Sequence, residues 1–256
     1  MSPSPLTGSS QPNRGSFRQA YQTAYLQIKN RVGKRDRHVK LLQKYNIDVV
    51  LDVGGNEGQY AANLIKRGFT GKIVSFEPQP DAFEVLAANT WGLSQWTAEP
   101  FALGAEESVM TMNVAGNSQS SSLHPMLATH VDSAPESAYV AQVNVQVKRL
   151  DGLFSKYCRP GQRVFLKMDV QGHEHKVIEG ASGCLDQITG MELELSMIPL
   201  YEDQLLWHEA IDSVREIGFV LARMTPGFSD PRTGVMLQAD GIFMRQDAVE
   251  QLRAAA

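Results

Sequence analysis

The amino-acid sequence predicts an α/β fold built on a single doubly wound sheet that is mostly parallel, with an antiparallel C-terminal strand and helices on both faces. Short apolar runs of strand length alternate with helical segments, as expected of βαβ units. The last two strands are joined by a loop rich in proline and glycine, without a helix, which indicates an antiparallel pair at the sheet edge. The predicted strands are 48–53, 72–76, 97–103, 164–168, 190–196, 219–224 and 241–245, and the predicted helices beyond residue 47 are 59–67, 81–89, 176–185 and 203–217.

Composition limits the classes of protein to which the chain can belong. Its 256 residues, 43% of them hydrophobic, are enough for one sizeable core. The formal net charge of −4 and the pI of about 5.9 argue against a nucleic-acid binder, which needs a basic face to neutralise phosphates. No apolar run approaches the roughly 20 residues that span a bilayer, and the two cysteines lack the spacing of a disulfide scaffold or a zinc site. We therefore expect a cytoplasmic protein with reduced thiols.

The chain divides into three predicted regions. Residues 1–16, rich in serine, proline and glycine, are predicted to be a disordered N-terminal extension. Residues 17–47 are predicted to be a helical segment, and residues 48–250 the main domain. Within that domain, residues 113–146 are small, polar and loop-like, which predicts a lid or substrate loop.

One basic stretch lies in the helical segment. Residues 29–40 contain six lysines and arginines against one acid, Asp36. Such a stretch suits peripheral contact with an anionic membrane surface, and a solvated helix face is the alternative.

A glycine-rich loop follows the first predicted strand. In the segment Asp52-Val-Gly-Gly-Asn-Glu-Gly58, the glycines allow a tight turn and a close approach of the backbone to a ligand. A dehydrogenase places such glycines against a pyrophosphate, where a carboxylate is unwelcome. Asp52 stands just before them, and a carboxylate there suits the methionyl ammonium group of S-adenosylmethionine, directly or through water. The predicted cofactor is therefore S-adenosylmethionine, with NAD as the alternative.

An acid closes the second predicted strand. Glu77 matches the acidic residue that bonds ribose hydroxyls in doubly wound folds, since it lies about 20 residues after Gly58. A solvated strand end is its alternative role. An NAD-dependent oxidoreductase would be supported by a Tyr-x-x-x-Lys pair after the glycine loop, but the one such spacing in the chain, Tyr25 to Lys29, lies before the first predicted strand.

These motifs belong to a wider resemblance. The chain contains VVLDVGGNEGQY, IVSFEPQPDAFEVLAAN, ALG at 102–104, NSQSSSL at 117–123, FLKMDVQGHEHKVIEGA and ELELSMIPLY, in order from about residue 48 to 201. In this combination it resembles the FkbM family of S-adenosylmethionine-dependent methyltransferases, within the class I Rossmann-like group. The resemblance implies a Rossmann-like sheet with a reversed final hairpin. For many members it also implies O-methylation of sugars, polyketides or other natural products.

The resemblance also implies a cofactor site. The glycine loop would surround the methionyl and ribose parts, Glu77 would hold the ribose, Ala102 and Leu103 would lie near the adenine, and Asp169 would lie beside the sulfonium. Gly55 departs from the alanine that is common in the family. The full set of predicted cofactor residues is Asp52, Gly54, Gly55, Asn56, Gly58, Tyr60, Glu77, Pro78, Ala102, Leu103, Ser121, Asp169 and Gln171.

The predicted catalytic residues are Asp169, His173 and Glu194. An alcohol has a pKa far above neutral, so its attack on a methyl group benefits from a general base. Asp169 can accept the proton or orient the hydroxyl, and a histidine can act as base near neutral pH. His173 could instead be a packing residue, and Glu174 a helix cap. A magnesium ion held by Asp169, His173, Glu174, His175 and Glu194 is a further alternative.

The function predicted from these residues is O-methylation of a hydroxyl on a sugar, glycolipid or polyketide-type natural product. A hydroxylated small molecule or a lipid-linked sugar would be the partner, and no nucleic acid is expected. The alternatives are an NAD-dependent oxidoreductase and a catalytically inactive protein that binds a cofactor on the same fold.

Overall fold

The computed structural model describes residues 37–255. The first described element is helix α1, which is described over residues 37–44. The predicted disordered extension, the greater part of the helical segment and residues 29–36 of the basic stretch lie outside the described residues. Among the residues that are described, no helix is both long enough and apolar enough to cross a bilayer.

A seven-stranded sheet forms the centre of the domain, in the order β3-β2-β1-β7-β8-β10-β9. The first five strands in this order are parallel, so their carboxyl ends meet at one edge. Strands β1 and β7 lie at the middle and are buried along their whole length, as continuous apolar runs predict. The strands are β1 (Val49–Val53), β2 (Lys72–Phe76), β3 (Trp96–Glu99), β7 (Val164–Met168), β8 (Ile188–Ser196), β9 (Phe219–Pro226) and β10 (Gln238–Arg245).

One strand of this sheet is reversed. β10 pairs antiparallel with β8 on one side and with β9 on the other, which confirms the predicted mostly parallel sheet with an antiparallel C-terminal strand. The reversed strand lies inside the sheet, because the returning hairpin inserts β10 between β8 and β9.

The helices are α2 (Gln59–Lys66), α3 (Pro80–Thr90), α4 (Ala128–Ser133), α5 (Leu150–Tyr157), α6 (Glu174–Gly180), α7 (Trp207–Glu216) and α8 (Gln246–Ala254).

A second, three-stranded sheet corrects the prediction for residues 113–146. It has the order β4-β6-β5 and comprises β4 (Ala102–Leu103), β5 (Ser108–Ala115) and β6 (Tyr139–Lys148). Only residues 116–138 connect β5 to β6, and they include the short helix α4. Apolar and polar residues alternate along β6, a strand pattern that the polar residues around it obscured.

The predicted strand at 97–103 is two strands in two sheets. β3 ends at Glu99 and belongs to the large sheet, whereas β4 begins at Ala102 and belongs to the small one. Pro100 lies between them, and a proline cannot donate to a strand ladder.

The turn after β1 requires glycine at one position. Gly54 has φ +73°, and a Cβ atom there would lie 2.0 Å from the backbone oxygen of Asp169. We expect Gly54→Ala to lower the free energy of unfolding by at least about 2 kcal/mol, from backbone strain and a clash that no rotamer relieves. Urea denaturation measures it.

Gly92→Ala is the matched control for this substitution. Gly92 has φ +78°, but nothing lies within 4 Å of a Cβ added there. The substitution should therefore lower the free energy of unfolding only by the backbone strain of about 1 kcal/mol. Equal losses of stability in the two variants would contradict the role given to the contact with Asp169.

Candidate active site at the carboxyl edge of the sheet

Four of the predicted site residues meet at the carboxyl ends of the parallel strands. Asp52 lies in β1, Glu77 follows β2, Asp169 follows β7 and Glu194 lies in β8. In doubly wound sheets this edge, where neighbouring connections diverge, is the usual place for a ligand. The strand order therefore brings these acids to one edge of the sheet.

A row of polar residues crosses the middle of the large sheet. Asp52 is in register with Ser75 of β2 and with Lys167 of β7, and Lys167 is in register with Glu192 of β8. Paired residues of neighbouring parallel strands point to the same face, so the four side chains lie side by side. The row interrupts an otherwise apolar layer.

Asp52 is the centre of this row and is 0% exposed. Its Oδ2 accepts a hydrogen bond from the Ser75 hydroxyl at 2.8 Å, and its Oδ1 lies 3.0 Å from Nζ of Lys167. Both carboxylate oxygens face groups of the protein and the residue is closed to solvent, and recognition of a ligand ammonium group by Asp52, directly or through water, stays a prediction.

Lys167 was missed in the sequence analysis. Besides Asp52, its ammonium group donates to the Gly54 carbonyl at 3.0 Å and lies 3.7 Å from Oδ2 of Asp169. Burial opposes the charge, but the carboxylates of Asp52 and Asp169 outweigh it and raise the pKa of Lys167 above its ordinary value. The sequence could have indicated this role, because Lys167 lies inside an apolar strand and a buried lysine needs a partner of opposite charge.

Glu77 holds the glycine loop in place. Its two carboxylate oxygens accept hydrogen bonds from the backbone N–H groups of Asn56 and Gln79, both at 2.8 Å. Burial raises the pKa of Glu77 to about 7, although these two hydrogen bonds oppose the shift. Pro78 follows it at the start of the turn into α3.

Asp169 is the acid of the cluster that opens to solvent, with 48% of its side chain exposed. Gln171 lies between Asp169 and Glu194, and its Nε2 donates to Oδ1 of the first at 2.8 Å and to Oε2 of the second at 2.9 Å. Burial, and next the charge of Asp169, raise the pKa of Glu194 well above its ordinary value. The structure thus brings the predicted Asp169 and Glu194 together through one amide.

Tyr60 covers the polar row. Its hydroxyl donates to Oε2 of Glu192 at 3.2 Å, and its ring centroid lies 5.2 Å from the ammonium group of Lys167. Burial raises the pKa of Glu192 to about 7, with Lys167 opposing the shift.

His173 lies apart from these carboxylates. It is 4% exposed, and its Nδ1 lies 2.9 Å from Nε2 of His124. Burial, with smaller contributions from His124 and His175, lowers the pKa of His173 to about 3. The packing alternative fits these observations, and the base role of His173 stays a prediction.

Glu174 serves the turn after β7. Its two carboxylate oxygens accept the backbone N–H groups of Val170 and Gly172 at 3.0 and 3.1 Å. These bonds hold the turn that precedes α6, and no side chain caps the start of that helix, so the capping alternative stays a prediction. Within residues 37–255, no group of three or more histidine, cysteine, aspartate or glutamate side chains is arranged to hold a metal ion, so the magnesium alternative gains no support.

The connection 116–138 contacts the site through its serine side chains. The side-chain amide of Asn56 donates to Ser118 Oγ at 3.3 Å, and the Ser122 hydroxyl donates to the Gln171 carbonyl at 2.7 Å. Ser121, predicted to contact the cofactor, uses its hydroxyl to accept the backbone N–H of Ala115. The predicted adenine neighbours are buried in β4, whose pairing with β6 places them in the small sheet.

The charges at this edge suit a cationic ligand. The ammonium group of Lys167 interacts with five carboxylates, so the cluster carries excess negative charge when they are ionised. A bound cation would stabilise the ionised acids, because opposite charge favours the charged form. The five are Asp52, Glu77, Asp169, Glu192 and Glu194.

A mostly parallel seven-stranded sheet with one reversed strand, a glycine loop after β1 and acids after β2 and β7 define a class I Rossmann-like methyltransferase fold. The chain belongs to the FkbM methyltransferase family, since the family model described as "Methyltransferase FkbM domain" matches residues 52–221. The matched residues include the glycine loop, the acids and Gln171. No curated protein matches the chain.

Three solved structures illustrate the fold resemblance. Magnesium protoporphyrin IX methyltransferase from Synechocystis PCC 6803 with bound SAH is 13% identical, with a TM-score of 0.47 over 93% of this chain and 90% of that one. An rRNA methylase from Streptococcus thermophilus is 10% identical, with a TM-score of 0.41 over 78% and 87%. A SAM-dependent methyltransferase from Aquifex aeolicus is 12% identical, with a TM-score of 0.40 over 80% and 88%. Likeness this distant says nothing about the substrate of this chain.

The buried ion pair can be tested by removing its cation. We expect Lys167→Met to lower the free energy of unfolding by about 3 to 5 kcal/mol, because Asp52 is left as an uncompensated buried charge. The double variant Asp52→Asn with Lys167→Met should recover much of this loss. Urea denaturation of both variants measures it, and a double variant no more stable than Lys167→Met would argue against the pairing.

The burial of His173 makes a prediction about pH. Above the unfolded-state pKa of about 6.5 the imidazole is neutral in both states, whereas below it the unfolded chain takes up a proton that the folded chain refuses. Relative to His173→Asn, the wild type should therefore lose about 1 to 2 kcal/mol of stability between pH 7 and pH 5.

Unfolding in urea at the two pH values measures this difference. His208→Asn, which replaces an exposed histidine of α7, is the matched control for loss of an imidazole. If the difference in free energy of unfolding between wild type and His173→Asn stays constant with pH, His173 can be protonated in the folded protein.

Proposed function

We propose that this chain is an S-adenosylmethionine-dependent O-methyltransferase acting on a hydroxyl of a sugar, glycolipid or polyketide-type natural product. The observation that carries the proposal is the solvent-open carboxylate of Asp169, held by Gln171 at the edge where the glycine loop lies. Membership of a methyltransferase family supports methyl transfer over hydride transfer to NAD. A cytoplasmic location is part of the same proposal.

The proposed cofactor fits the chemistry of the residues at this edge. When bound, S-adenosylmethionine supplies the methyl group and carries both a sulfonium and an ammonium charge. Asp169, as the exposed acid, would face these charges, and Glu77 would accept the ribose hydroxyls at the end of β2. A carboxylate accepts about four hydrogen bonds, so Glu77 could accept a ribose hydroxyl while it keeps its bonds to the backbone. Alternatively, the hydroxyl would replace one of these backbone N–H donors.

Methyl transfer to a hydroxyl needs alignment and removal of one proton. The acceptor oxygen forms a bond to the methyl carbon while the bond from that carbon to sulfur breaks, and the hydroxyl proton must leave. Asp169 accepts that proton in the proposed mechanism, either directly or after orienting the hydroxyl. Alignment of oxygen, carbon and sulfur supplies a further part of the rate.

Glu194 has a supporting part in this proposal. Its carboxyl group lies on the far side of the Gln171 amide from Asp169, in a more buried position on β8. Burial and the charge of Asp169 raise the pKa of Glu194, and protonation of Glu194 would limit the negative charge next to Asp169.

The cofactor can be tested without knowledge of the acceptor. We expect calorimetric titration to give micromolar binding of S-adenosylhomocysteine and no binding of NAD. Binding of NAD alone would overturn the proposal and favour an oxidoreductase. Binding of S-adenosylhomocysteine without methylation of any acceptor would favour a catalytically inactive protein.

Asp169→Asn tests the catalytic assignment. Because asparagine keeps the shape but cannot take the proton, we expect affinity for S-adenosylhomocysteine to stay within several-fold while methylation falls at least about 100-fold. The assay follows labelled methyl groups from S-adenosylmethionine into hydroxylated glycans, glycolipids and polyketides. An RNA transcript is included and should stay unlabelled.

Asp81→Asn is the matched control, since Asp81 is an exposed acid of α3 outside the site. It should leave both binding and methylation unchanged. An Asp169→Asn variant that methylates at the wild-type rate would remove Asp169 as the proton acceptor.

A further inference from the structure

A buried tyrosine lies behind the two acids of the site. Tyr201, in the turn after β8, is 1% exposed, and its hydroxyl donates to Oε1 of Gln171 at 2.7 Å. The same hydroxyl lies 3.2 Å from the carbonyl of Ser120, so its single proton is directed mainly to the closer oxygen. Burial raises the pKa of Tyr201 above its ordinary value, which keeps the phenol protonated as a donor.

This hydrogen bond decides which way the Gln171 amide points. A phenol that donates to the amide requires the oxygen on its own side, and the NH₂ group then points away from it. On that other side lie Asp169 and Glu194, each accepting one of the two N–H bonds. With the amide reversed, its oxygen would face two carboxylates and its NH₂ group a donor, which is unfavourable on both sides.

The backbone around Gln171 is built for this one placement. Gln171 has φ +54°, and the Ser122 hydroxyl donates to its carbonyl at 2.7 Å. The next residue, Gly172, has φ +98°, and a Cβ there would lie 3.2 Å from Cβ of Tyr201. The turn after β7 and the turn after β8 are therefore in close contact at this point.

We propose that Tyr201 and Gln171 are positioning residues, in which the tyrosine hydroxyl orients the glutamine amide and the amide holds the carboxylates of Asp169 and Glu194 in place. Gln171 is 8% exposed, and its two N–H bonds and its oxygen are all used within the protein. It is thus a support for the acids, and the cofactor contact expected of it from the sequence stays a prediction. The place of this network in methyl transfer rests on the proposed function, whereas the orientation of the amide does not.

Tyr201→Phe tests the orientation, because it removes only the hydroxyl. The readout is the side-chain ¹⁵N–¹H₂ signal of Gln171 in the full-length protein, assigned by its loss in Gln171→Met. In the wild type we expect two well-separated proton shifts that respond to pH as Glu194 titrates. In Tyr201→Phe we expect the separation and the pH response to shrink by half or more.

Tyr139→Phe is the matched control. Tyr139 is half-buried near the site, and its hydroxyl also donates at 2.7 Å, but to the carbonyl of His124. This variant should keep the wild-type Gln171 signal. An unchanged signal in Tyr201→Phe, or equal changes in both variants, would overturn the proposal.

Activity separates this role from a purely structural one. Once an acceptor is available, we expect Tyr201→Phe to lower kcat about tenfold to a hundredfold, with the affinity for S-adenosylhomocysteine within about threefold of wild type. Gln171→Glu should regain activity as the pH is lowered, because the new carboxyl group then becomes protonated and can donate again. Loss of cofactor affinity in step with kcat would contradict positioning, whereas a wild type that binds no S-adenosylhomocysteine would refute the proposed function and leave the amide test standing.

Discussion

The ion pair between Asp52 and Lys167 is the interaction on which the site depends. It joins β1 and β7, the two central strands, at the point where the polypeptide turns into the glycine loop. Removing one member of such a pair costs several kcal/mol, although an apolar pair of similar volume would be about as stable. Its position is therefore better explained by what it organises. Lys167 bonds the Gly54 carbonyl and approaches Asp169, so one ammonium group interacts with both the turn after β1 and the open acid after β7.

The same ammonium group sets the charge of the carboxyl edge. A single cation among five carboxylates leaves the cluster with excess negative charge when the acids are ionised, and burial raises the pKa of Glu77, Glu192 and Glu194. Further negative charge would destabilise this cluster, whereas a bound cation would stabilise it. Asp169 is open to solvent, so a ligand that enters this edge meets a carboxylate whose orientation is held from behind by Lys167 and Gln171.

Much of the large sheet could be predicted, because its strands are continuous apolar runs whose period and length leave few alternatives. The small sheet could not. A connection of 23 residues separates β5 from β6. The two strands are therefore not joined by a short turn, which would have indicated in the sequence that they pair. At the site, the acids at the ends of strands could be identified from the sequence, because each directly follows or ends an apolar run. The partner of Asp52 lies more than 100 residues away, in a strand whose place beside β1 depends on the order of the whole sheet.

The sequence by itself therefore determined the fold class, the glycine loop, the acids at the ends of β1, β2 and β7, and the family. These are local patterns, in which residue type and spacing carry the information. Only the tertiary structure decided what each side chain touches. It buried Asp52 against Lys167, paired His173 with His124, and placed Gln171 between two acids and Tyr201. The reason is physical, since a hydrogen bond or an ion pair is set by the relative position of elements that are far apart in the chain.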